Sequence, residues 1–144
     1  MNMNSRQFLF FTLLSAGIAG ASASSDDPRV LVELPDMMQQ HMLSNMRDHL
    51  AAINEILVFL GSGELEKASE TAEFRLGMSS LELHGASHIA KFMPEGMREA
   101  GTAMHRAASR FAVKAQEGDA LEAYKAVSGI TSACVACHSG YRVK

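Results

Sequence analysis

Cys134 and Cys137 are the two cysteines of the chain, and they stand in the run Cys134-Val135-Ala136-Cys137-His138. On a helix, positions i and i+3 share a face, so two thiols at this spacing reach the two vinyl groups of one porphyrin. The imidazole that follows projects beneath the ring as an axial ligand to iron. C-x-x-C-H is the pattern for covalent attachment of haem c. On this reading Cys134 and Cys137 form the thioether bonds and His138 is the proximal ligand. Other chemistries use similar residues. A thioredoxin-like dithiol wants its C-x-x-C near the start of a helix in a βαβ unit, and no strand pattern precedes this one. A zinc site could add His84 and His88, at i, i+4 spacing, to the two thiols, but it would leave His138 without a role. A disulfide between residues three apart closes a tiny loop and stabilises little.

The N-terminus sets the compartment. Arg6 precedes an apolar run from Phe8 to Gly20, and Ala21-Ser22-Ala23 has the small-x-small form of a signal peptidase site. Residues 1–23 are therefore read as a signal peptide cleaved after Ala23, its apolar run too short for a stable membrane span. What remains, 24–144, is about 120 residues, the size of one small domain. Export to a periplasm suits c-type haem attachment, which requires reduced thiols outside the cytoplasm. Without Arg6 the mature chain has 12 basic against 16 acidic side chains, a net charge of −4. That balance argues against nucleic acid or an anionic membrane as partner. No nucleophile–base pairing, phosphate loop or paired acids in a recognisable cleft suggests an enzyme.

The elements that must position the motif read as helix after helix. Pro35 and Asp36 open a first helix that meets no breaker before Leu60 and ends at Gly61-Ser62-Gly63. Its apolar stripe is Met38, Met42, Met46, Ile53, Ile56 or Leu57, and Leu60. A second helix is expected from Glu64 to about Ser80, burying Leu65, Ala68, Ala72 and Phe74 or Leu76. Residues 81–94, interrupted by Gly85 and Pro94, read as a connection with a helical turn around His84 to Lys91. A third helix runs from Pro94 to Gly118 with Met97, Met104, Ala108, Phe111 and Ala115 inward. Its small residues, among them Ala100, Gly101 and Ala107, admit close approach of a helix or a flat cofactor. A fourth starts at Asp119, with Glu122 completing a capping box, and buries Leu121, Tyr124, Val127 and Ile130 before the cysteines. No strand alternation is visible. The expectation is an all-α fold, an antiparallel four-helix bundle with haem attached near the C-terminus of its last helix.

A helical chain of this length that closes on Cys134-Val135-Ala136-Cys137-His138-Ser139-Gly140-Tyr141-Arg142 resembles the cytochrome c prime family. The resemblance covers the mature chain in helix order and is specific at the last nine residues of the motif. It implies a haem packed between the first and last helices, with the distal residue from the first. It also implies five-coordinate members that bind nitric oxide or carbon monoxide, low-spin relatives with a distal methionine that carry electrons, and frequent homodimers.

Carried onto this chain, the family's distal position falls on Met46, with Met42 one turn earlier and His49 one turn later on the same face. Each of the three is a competent iron ligand, and methionine is equally a good core filler. Arg142, four residues after His138, is read on the ligand's face, near a propionate. The function expected is outer-sphere electron transfer between redox protein partners through one haem c, ligated by His138 and Met46. The alternatives are a five-coordinate gas-binding haem and a zinc-stabilised helical bundle. The remaining histidines, His41, His84, His88 and His105, read as surface or supporting residues, and the Met- and His-rich stretch 77–97 departs from the family pattern.

Overall fold

The computed structural model describes residues 27–144, so the signal-peptide reading lies outside the described residues. The described chain is all-α apart from one short ladder. The elements are β1 (Val30–Val32), α1 (Asp36–Gly61), α2 (Leu65–Arg75), a 3-10 turn (Met78–Ser80), α3 (Ala86–Ala90), α4 (Glu95–Gln116), α5 (Ala120–Gly140) and β2 (Tyr141–Val143). Among the described residues no helix is long and apolar enough to cross a membrane.

The first helix begins where proline and an acidic first turn favour it, at Pro35 and Asp36. It ends as Gly63 turns left-handed (φ 72°) and Glu64 N–H reaches back to the Phe59 carbonyl at 2.8 Å. Its buried face is Met42, His49, Ala52, Ile56 and Leu60. Ile56, rather than Leu57, therefore takes the inward place.

The second helix is shorter than expected, stopping at Arg75 instead of near Ser80. The cause is Gly77, whose N–H caps Ala72 and Glu73 and whose Cβ, if it had one, would lie 2.7 Å from the Glu73 carbonyl oxygen. Leu76 is fully buried and Phe74 largely exposed. Arg75 bridges to α1 by pairing with Asp48 at 2.5 Å and Glu55 at 2.6 Å.

Residues 81–94 make a connection with one short helix, α3, as expected. Gly85 enters it at φ 59°, a conformation that favours glycine. The turn is pinned to α1, because His41 Nε2 and Asn45 Nδ2 both donate to the His84 carbonyl, at 2.9 and 3.0 Å. A Cβ on Gly85 would meet His41 Nε2 at 3.0 Å. Gly85→Ala is therefore expected to cost about 1–2 kcal/mol from the left-handed backbone alone. A thermal melt checks it, and an unchanged midpoint would show the turn to be slack.

The inward residues expected for α4 are all buried, Phe111 and Ala108 completely. Asp119 caps α5 by accepting from the N–H groups of Leu121 and Glu122. Glu122 does not return the bond but pairs with Lys125. Leu121 and Tyr124 are exposed, against expectation, and Ala123, Val127 and Ile130 face inward. The first turn of α5 turns its small side to the core, so its large residues remain outside.

Packing runs α1 on α2, α2 on α4 and α4 on α5, while α1 and α5 touch only thinly. One core of Ile56, Leu60, Leu76, Phe111, Val127 and Ile130, with alanines between, joins the four long helices. A second, smaller cluster of Val32, Met42, Ile89 and Met97 closes the other end.

The strands correct the expectation of none. Val30 pairs in parallel with Tyr141, Leu31 with Arg142, and Val32 with Val143. Segments of three residues carry too little alternation to be seen in a sequence.

Candidate functional site

Where α1 and α5 draw apart, a cavity of about 430 Å³ opens between them and α4. Cys134, Cys137 and His138, on the last turns of α5, all line it. Opposite stand Leu43, Met46, His49, Leu50 and Ile53 of α1, and Ala100, Gly101 and Met104 of α4 form its third wall. A Cβ on Gly101 would meet nothing within 4 Å, so this wall faces open space. At Gly129, in contrast, the added Cβ would find Ala107 at 3.7 Å, where α5 packs on α4. The small residues of α4 thus admit the close approach of α5, one of the two uses foreseen for them.

Both thiols are free and half-buried, and burial pushes each above its ordinary value of 9.0. They are neutral thiols at neutral pH. That is the opposite of the lowered value a catalytic dithiol needs. Around the motif the chain end is fastened down. Tyr141 N–H caps the Cys137 carbonyl, and Arg29 donates to the His138 carbonyl at 3.4 Å.

The candidate distal residues separate. Met46 and His49 line the cavity, whereas Met42 turns to the second core cluster and is absent from its walls. Arg142 does not lie on the face of His138. The helix stops at Gly140, and Arg142 stands in β2 with Nε 3.3 Å from Asp27 Oδ2. Asp27 also pairs with Arg29 at 2.7 Å, and this guanidinium, with Arg142 assisting, holds its carboxyl down at about 2. The zinc set is not assembled. The cysteines, His84 and His88 line three different cavities.

The sequence did not suggest that three histidines would meet. His49 of α1, His84 of the 81–85 turn and His105 of α4 are each more than nine-tenths buried. Their ring centroids stand 4.6, 5.6 and 5.9 Å apart. His49 Nε2 lies 3.4 Å from His84 Nδ1. His105 Nδ1 lies 2.7 Å from the Leu76 carbonyl, which can only accept, so this nitrogen carries the proton. Burial, then the neighbouring imidazoles, hold His49 down at about 4. Burial also lowers His84 and His105. A faint signal existed: His49 continues the Met42–Met46 stripe of α1, and His105 falls one turn before the buried Ala108 and two before the buried Ala112 of α4.

No family model matches the chain, and no curated protein or solved structure matches it.

Proposed function

We propose that this chain is an exported c-type cytochrome that passes electrons between protein partners. In this reading α1, α2, α4 and α5 form a four-helix bundle around one covalent haem c, as in the cytochrome c prime family it resembles. The observation that carries it is the single cavity shared by Cys134, Cys137, His138 and Met46. The donor set fits the group: two neutral thiols three residues apart, an adjacent imidazole, an opposing thioether and largely aliphatic walls that also carry Arg47 and His49.

Bound haem supplies one-electron exchange at iron, and a thioether ligand favours Fe(II) relative to a second imidazole. Cys134 and Cys137 hold the ring through covalent bonds, so no binding equilibrium limits retention. His138 and Met46, which face the same cavity, would hold the iron. Leu43, Leu50 and Ile53 line the Met46 side together with Arg47 and His49, so it is only partly apolar. A redox partner would meet the exposed edge through a small, transient contact.

A visible spectrum of the purified protein tests this. A sharp reduced α-band indifferent to carbon monoxide is expected, and Met46→Ala should convert it to a broad high-spin spectrum that responds to the gas. An unchanged spectrum in that variant would exclude Met46 as ligand. One observation favours the second reading, a five-coordinate iron that binds nitric oxide or carbon monoxide. Met46 is 37% exposed, so its side chain is not locked in place by packing.

A further inference from the structure

Beside the cavity of the cysteines lies another of about 330 Å³, and the three buried imidazoles line it. The thioethers of Met42, Met93 and Met104 line it too. Electron transfer through a haem on α5 makes no use of His84 or His105. Their burial nevertheless has a cost, because His84 Nε2 is a buried nitrogen without a partner.

The hydrogen bonds say which nitrogens hold lone pairs. Ser80 Oγ spends its proton on the Gly77 carbonyl at 2.7 Å, so toward His84 Nδ1, 3.3 Å away, it can only accept. His84 Nδ1 therefore carries the proton, and Nε2 is the bare lone pair. His105 Nδ1–H is likewise spent on Leu76, leaving its own Nε2 bare. This is the arrangement of metal-binding histidines, one ring nitrogen fixed by an oxygen acceptor and the other free to ligate.

We infer that His49, His84 and His105 form a copper(I) site in this cavity, which adjoins that of Cys134 and Cys137 and shares Met46, His49, Gly101 and Met104 with it. Imidazoles that share one tetrahedral ion at about 2.0 Å stand with centroids roughly 5 Å apart. The observed 4.6 to 5.9 Å brackets that spacing. Among the described residues no three such donors yet meet at one point. Capture requires the His49 ring, whose Nε2 now faces His84 Nδ1, to turn about its soft χ2, while Ser80 and Leu76 keep His84 and His105 in place. The donors choose the ion: neutral imidazoles and thioethers suit copper(I), whereas calcium and magnesium want oxygens. Of the nearby charges, Asp48 is paired with Arg75, while Arg98, also on the cavity wall, donates to the Met93 carbonyl and keeps its positive charge.

The inference does not rest on the cytochrome reading, and its test reads copper rather than iron. The purified full chain, with whatever cofactor it carries, is titrated anaerobically with copper(I) against a chromophoric chelator. One tight equivalent is expected, weakened at least about a hundredfold in His84→Ala/His105→Ala. No competition with the chelator, or equal binding by the double variant, would overturn it. Should that variant fold poorly by circular dichroism, copper K-edge absorption on the unaltered protein decides. Imidazole scattering supports the site, and a sulfur-only shell assigns the ion to the thiols or methionines and overturns it.

Discussion

Cys134→Ser/Cys137→Ser protein, exported and purified like the unaltered chain, is expected to yield all its haem to acid–acetone extraction, and the unaltered chain none. The contrast is total because the two attachments differ in kind. An apolar cavity of about 430 Å³ with His138 on its wall still offers non-covalent burial and an axial nitrogen. Thioether bonds alone survive unfolding. Single replacements should each leave one bond, and with it a reduced α-band moved by the vinyl group that stays unsaturated. His138→Ala should keep the pigment attached and alter its spin state. Haem that extracts freely from the unaltered chain would end the cytochrome reading, whatever its spectrum.

Acid should weaken the metal-free fold before its carboxylates account for it. His49 is neutral in the folded chain down to about 4, while the unfolded chain protonates near the ordinary 6.5. Above 6.5 neither state binds the proton and stability is unaffected. Between the two values only the unfolded state gains it, so stability falls as pH falls. At about 1.4 kcal/mol per pH unit the whole interval is worth about 3 kcal/mol, of which about 2 is lost by pH 5. His84 and His105 push the same way, and Asp48, which would oppose them, is held by Arg75. Urea unfolding of metal-free protein at pH 7.5 and pH 5 measures the loss. In His49→Gln the difference should shrink by more than half, and an equal fall in that variant would place the acid sensitivity elsewhere.

The parts of this molecule that were legible in its sequence are those decided locally. An unbroken stretch from Asp36 makes a helix in almost any context, and Gly63, Gly85 and Gly118 take the left-handed turns that the punctuation around them required. Where the reading failed, a distant partner decides. Gly77 is the exception, a local stop whose N–H caps the Ala72 and Glu73 carbonyls, whereas Tyr124 remains outside because α4 presents alanines to the small face of α5. Of the candidate site, the two cysteines and His138 were readable from spacing alone. Met46 and Met42 are equivalent on a helical wheel and part only when α5 and Ile89 take up their positions. The histidine cluster draws on three segments that no periodicity connects.

The parallel ladder at the chain ends has a consequence in time. Val30–Val32 is synthesised long before its partner, Tyr141–Val143. Arg29 waits 109 residues for the His138 carbonyl. Such a closure is the slow kind, a long loop drawn shut by a few bonds. If haem is attached to Cys134 and Cys137, that interval, before the ladder holds the end of α5, is when their sulfurs would be easiest to reach.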